Sequence, residues 1–252
     1  IKLYNKVGNE VTITSQPWNG NICTVTVPAN SLVSGDSKKV TVAFQQINNN
    51  ESSITSQPLT FYLVDYSTPP VISTEAQTTL QSSQIIQGTA LPYAEIKITN
   101  TSAPQESPIE VTTYASGNGS WQGTINLVTN EENSISVTQK VEGAPSISNP
   151  STVTIKNLGV PTIDTDPSES QQAASFHVAG KGLKGATVLL LENDTPVELD
   201  DVNPHHKIVQ NDGTFDIYPK NAFQAGTKTF IFKQTLDNKT STATNEMTFT
   251  LT

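Results

Sequence analysis

Arginine is absent from this 252-residue sequence; all 14 basic residues are lysine, set against 23 acidic ones, for a net charge of −9. An acidic chain without the rigid bidentate fork of arginine is poorly equipped to hold phosphates or read base edges, so nucleic acid is excluded as a partner. Cysteine occurs once, at Cys23, so no disulfide can form within one copy of the chain. No apolar run approaches the ~18 residues of a membrane span, and no charged-then-apolar leader precedes the first strand-like segment. The expectation is a chain without membrane insertion or a targeting signal. Catalytic signatures are missing too: there is no G-x-S-x-G elbow, H-E-x-x-H helix or Walker loop, and Cys23 has no evident His and Asn partners. No catalytic or cofactor-binding residue is assigned, and the chain is expected not to be an enzyme.

What is present is strand pattern. Hydrophobic residues make up 35% and aromatics 6% of the chain, lean for one large core and adequate for several thin ones. Apolar and polar residues alternate in Val11-Thr12-Ile13, Val25-Thr26-Val27, Val40-Thr41-Val42, Ile96-Lys97-Ile98, Ile135-Ser136-Val137, Val153-Thr154-Ile155 and Met247 to Leu251. Helical spacing is broken almost everywhere by Pro, Gly, Thr and Ser. Short strands spaced by turn residues at this rate predict stacked sheets, an all-β fold.

The pattern repeats. Gly88 opens GTALPYAEIKI and Gly180 opens GKGLKGATVLL, which pairs Leu91 with Leu183, Ala94 with Ala186 and Ile96 with Val188 at one offset. NGSW at Asn118 and DGTF at Asp212 put Trp121 opposite Phe215. A further copy begins with IKLYN at Ile1 and has NGNI at Asn19, and each copy closes on a strand, a polar turn and a Thr-rich strand. Prolines follow at Pro69, Pro70 and Pro161, where a fixed φ makes short, stiff connectors. The expected division is 1–67, 68–158 and 159–252, with two opening strands of the first copy lying outside the sequence. Starting inside a strand is expected to leave the first sheet with an uncovered edge, an association hazard.

The segment Gly180 to Gly185 matches G-x-G-x-x-G, the spacing of a dinucleotide cradle. That cradle needs a following helix whose N-terminus faces the phosphates. Here ATVLLLEN follows, a strand ended by Asn193-Asp194-Thr195-Pro196, and the sister copy keeps only the first glycine. The glycines read as a strand-to-strand corner.

These motifs together, the glycine-led turn, the Asn/Asp-Gly-x-Trp/Phe hairpin and the Thr-rich strand before a proline connector, resemble the bacterial Ig-like repeats of large surface adhesins and biofilm-associated proteins. Animal Ig-like domains usually carry a cysteine pair, and its absence fits a bacterial surface better. The resemblance implies tandem immunoglobulin-like β-sandwiches forming an extracellular, cell-surface stalk. It implies a host or neighbouring-cell surface protein or glycan as partner. A glycan- or protein-binding module, and an accessory region of an extracellular polysaccharide-active enzyme, remain as alternatives.

Individual residues are read within that frame. Trp121 and Phe215 are expected as core plugs between two sheets. Trp18 reads as a ring packed over a strand edge, with a sugar-stacking face as the alternative, and Cys23 as a core residue beside Val25 and Val27. Glu198, Asp200, Asp201, His205 and His206 invite a metal site, yet adjacent histidines on an extended chain point apart, so a solvated loop is expected. The resemblance implies calcium as a candidate at the module junctions, where it stiffens some stalks of that family. Asp65, Asp164 and Asp166 lie near the connectors without the dense D-x-D-x-D-G spacing of a strong calcium loop.

Overall fold

The computed structural model describes residues 1–5, 8–15, 25–27, 39–49, 51–62, 65–142 and 146–252. Trp18, Cys23 and the NGNI turn lie outside them. The chain divides into two compact units, Ile1–Asp65 and Tyr66–Thr252. Among the described residues there is no α-helix, only one turn of 3-10 helix at Ala173–Ser175.

In the first unit the strands are β1 (Lys2–Asn5), β2 (Glu10–Val11), β3 (Thr14–Ser15), β4 (Val25–Thr26), β5 (Lys39–Gln45), β6 (Ile47–Asn48), β7 (Glu51–Ser52) and β8 (Leu59–Tyr62). The main sheet is antiparallel in the order β2-β1-β5-β8, and β3–β4 and β6–β7 form two further pairs. Leu3, Val11 and Val42 are buried, with Ile13, Val27 and Phe44 packed against them. One expectation is corrected here. The opening strand is not an edge, because β1 is flanked by β2 and β5; among the described residues β2 and β8 are the strands at the rims of this sheet.

The second unit holds two immunoglobulin-like sandwiches, each with its own core. The first is built from β9 (Val71–Ile72), β10 (Gln77–Thr79), β11 (Ser83–Thr89), β12 (Glu95–Asn100), β13 (Ile109–Tyr114), β14 (Ser120–Asn126), β15 (Glu132–Lys140) and β16 (Ser151–Asn157). Its sheets run β10-β16-β15-β12-β13 and β14-β11-β9. The alternating residues Ile96, Ile98, Ile135, Val137 and Ile155 of one sheet meet Ile86, Trp121 and Ile125 of the other, all buried. A period of two on each inner face is what two stacked sheets require.

The second sandwich follows from β17 (Thr162–Ile163), β18 (Val178–Lys181), β19 (Thr187–Glu192), β20 (Thr195–Pro196), β21 (Lys207–Ile208), β22 (Thr214–Ile217), β23 (Gly226–Leu236), β24 (Lys239–Thr240) and β25 (Met247–Leu251). One sheet is β17-β18-β22; the other is built on β19 and β23, with β20 and β21 on the former and β24 and β25 on the latter. Val188, Leu190, Phe215, Phe230, Phe232 and Phe249 fill the space between them. Phe176 stacks on Phe230 at 5.3 Å and meets Phe249 edge-on at 5.3 Å, the offset geometries that ring quadrupoles favour.

Candidate functional site

The glycine-rich stretch is a packing feature. Gly180 lies within β18, in register with Phe215 of β22, and a Cβ there would stand 2.6 Å from the Phe215 ring and closer still to the Thr162 carbonyl. Gly88 repeats this on β11, opposite Trp121, with a Cβ 2.9 Å from the indole and against the Val71 carbonyl. Each aromatic ring lies over its glycine, which explains why only the first glycine is common to both copies. The corner reading is therefore corrected at Gly180, which sits mid-strand. It holds at Gly185, whose φ of +76° makes the turn into β19. A strand follows, so no helix N-terminus faces a phosphate.

Trp121 and Phe215 are 4% and 1% exposed, the plugs that the repeat predicts. They differ in one respect: the indole Nε1 of Trp121 is buried with no hydrogen-bond partner among the described residues.

The acidic and histidine-bearing segment is occupied by ion pairs. Glu198 meets Lys220 at 2.5 Å and Asp201 meets Lys207 at 2.7 Å, and hydrogen bonds from these lysines hold both carboxyls below their usual range. His205 is exposed and His206 half-buried. Asp65, Asp164 and Asp166 are all exposed. Asp166 accepts from the amide and hydroxyl of its near neighbour Ser168 at 2.8 and 2.7 Å, a local turn. Among the described residues no group of three or more His, Cys, Asp or Glu is gathered to hold a metal ion. Nor is any helix among them long and apolar enough to cross a membrane.

Two aromatic residues escaped sequence reasoning. Tyr93 and Tyr114 are 77% and 65% exposed and line one shallow depression with Glu95, Lys140 and Glu142. Tyr93 has φ +61°, the left-handed conformation that Gly185 takes in the sister copy. A bulky residue in that region is an outlier. The signal was legible as a tyrosine standing where the other copy has glycine.

The ends of the two sandwiches share one geometry. The opening strand pairs first with one sheet, β9 on β11, and then crosses to the other, where β10 runs parallel to the final strand β16 with Gln77 opposite Ile155 and Thr79 opposite Asn157. The second sandwich repeats the crossing. After β17 pairs with β18, Gln171 bridges Leu251 in parallel; the Gln171 amide donates to Thr250 O at 3.0 Å and Thr252 N to Gln171 O at 2.8 Å. Between the two sandwiches the connector is short and anchored. Leu158 N donates to Thr79 O at 2.8 Å while its side chain is buried in the following core, and Pro161 is buried as well.

No family model matches the chain, and no curated protein matches it. Solved structures offer loose matches. A biofilm-associated protein BSP domain is 15% identical with a TM-score of 0.29 over 85% of this chain, and the chain spans only 42% of that structure. The FN1–FN3 domains of chicken CNTN1 are 10% identical, with a TM-score of 0.32 over 99% of this chain and 90% of theirs. A tetra-tandem repeat from the extending region of a large adhesion protein is 13% identical, with a TM-score of 0.30 over all of this chain and 66% of its own.

Proposed function

We propose that the chain is a mechanical spacer of an extracellular surface adhesin: three immunoglobulin-like modules, 1–67, 68–158 and 159–252, that hold a binding region away from the cell. The reading assigns no reaction and no cofactor. Its target is a surface protein or glycan of a host or neighbouring cell, met by whatever the spacer presents.

The observation that carries this reading is the parallel pairing of opening and closing strands, β10 on β16 and Gln171 on Leu251. Two parallel strands pulled from their outer ends slide past one another, so their hydrogen bonds are loaded together in shear. Antiparallel ends would unzip one bond at a time. A sheet ladder placed this way resists tension out of proportion to its few bonds, which suits a tether.

Single-molecule stretching of the full chain tests it. Gln77→Pro removes an N–H from the β10 ladder and is expected to lower the unfolding force of one module by about twofold while the other events keep theirs. Equal forces in parent and variant, both folded, would refute the load-bearing role.

A further inference from the structure

One glutamine recurs in the same setting three times. The backbone amides of Gln46, Gln139 and Gln234 donate to the hydroxyls of Ser53, Ser148 and Ser241 at 3.0, 3.0 and 3.1 Å. Each serine amide donates back to its glutamine carbonyl at 2.8, 2.9 and 2.9 Å. Each serine hydroxyl then donates to the carbonyl of the next residue, Ile54, Asn149 or Thr242, at 2.8 Å. This fixes the hairpin and aims the glutamine side chain.

In the second unit that side chain is buried and engaged at both ends. Gln139 Oε1 accepts from Leu91 N at 2.8 Å while Nε2 donates to Thr68 O at 2.7 Å. Gln234 does the same, accepting from Leu183 N at 3.0 Å and donating to Gly159 O at 2.7 Å. Each glutamine thus grips the connector that leads into its own sandwich and the turn before β12 or β19. Space for the grip at Gln234 comes from Gly182, where a Cβ would stand 2.6 Å from Oε1.

At Gln234 the grip extends to the preceding sandwich. Its Nε2 also donates to Asn130 Oδ1 at 2.7 Å, and Asn130 turns its whole amide on the connector, accepting from Gly159 N at 2.9 Å and donating to Val160 O at 2.8 Å. On another strand pair, Thr78 Oγ1 donates to Asp237 Oδ2 at 2.5 Å and Lys239 Nζ donates to the Thr78 carbonyl. Swinging one sandwich against the other would take Asn130 Oδ1 away from the buried Gln234 amide, a loss that nothing apolar can make good.

We propose that Gln234 and Asn130 form a hydrogen-bonded lock that fixes the orientation of the Phe215 sandwich on the Trp121 sandwich without a metal ion. The lock sets one orientation whatever the chain presents, and it stands or falls independently of the load-bearing role.

Double electron–electron resonance on the full chain reads it directly. Spin labels on Thr124→Cys and Gln224→Cys, both exposed positions, are used in a Cys23→Ser background. The parent is expected to give one narrow distance distribution in the presence of chelator. Asn130→Gly keeps the positive φ of +58° at that position and removes only the side chain. It and Gln234→Ala are each expected to widen the distribution by about twofold as other orientations become populated. If Gln234→Ala melts its own sandwich, Asn130→Gly alone decides, because the bonds described for its side chain all go to the connector or to Gln234. A broad parent distribution, or a folded Asn130→Gly as narrow as the parent, overturns the lock.

Discussion

Trp121 buries an indole whose N–H finds no partner among the described residues, whereas Phe215 fills the matching slot over Gly180 with a ring that has no polar atom. A buried, unmet donor costs about 1–3 kcal/mol, and a smaller ring costs something comparable in lost packing. The two offset each other. Trp121→Phe is therefore expected to change stability by less than about 1 kcal/mol, against about 3–5 kcal/mol for Trp121→Ala, as measured by denaturant midpoints. A Trp121→Phe loss as large as that of alanine would show that the indole edge makes contacts the phenyl cannot supply. The pairing of these rings was readable in the sequence because both follow a turn glycine at one spacing. The reason for Gly88 and Gly180 was not, since a ring lying across a neighbouring strand leaves no trace in either residue's local pattern. Tyr93 is the opposite case, a visible substitution of tyrosine for glycine whose strained φ appears only in the folded chain.

At the scale of turns and strands, the hairpins at Asn118 and Asp212 share one construction. Asn118 Oδ1 accepts from the Ser120 amide and hydroxyl at 3.0 and 2.8 Å, and Asp212 Oδ1 from those of Thr214 at 3.0 and 2.7 Å. The Thr214 hydroxyl first, and its amide second, hold the Asp212 carboxyl below the ordinary carboxylate range. A carboxyl depressed on folding stabilises the fold above its unfolded pKa, roughly 4, and that contribution is lost as pH falls through the lower, folded value. Asp212→Asn, the residue of the sister turn, is expected to match the parent melting temperature at neutral pH and to lose less of it below about pH 4. Superimposable melting curves across that acid range would remove the carboxylate from the account. Strand positions were legible from alternation of apolar residues, and most of the predicted segments are strands. The glutamine grip was not, because Gln139 and Gln234 read as ordinary polar residues in Thr-rich strands. The available signal was positional: a glutamine in each copy, followed within the next hairpin by a serine.

At the scale of the molecule, self-similarity was the most informative feature of the sequence, since it located the plugs and the turns together. It could not reveal the joint. Asn130, Gly159 and Gln234 are far apart in the chain, and the hydrogen bonds that join them obey no period. Carboxylates near the connectors suggested calcium, whereas the one carboxylate described at the joint between the two sandwiches, Asp237, accepts from the Thr78 hydroxyl beside Lys239, and the other contacts there are amides and an apolar plug. Chelation is accordingly expected to leave the melting temperature of the full chain unchanged, because an ion bound only by the folded state would raise it. A fall of several degrees on adding EDTA would return a cation to the scheme.

The crossing of each opening strand has a last consequence. Because the segment leading into a sandwich runs alongside the one leading out, and in the same direction, the polypeptide enters at one pole and departs from the other. Bodies of this kind can be added in series without the thread ever doubling back. In the proposed spacer, reach would then grow with each body added, provided that every new joint supplies its own counterpart of the Asn130–Gln234 bond.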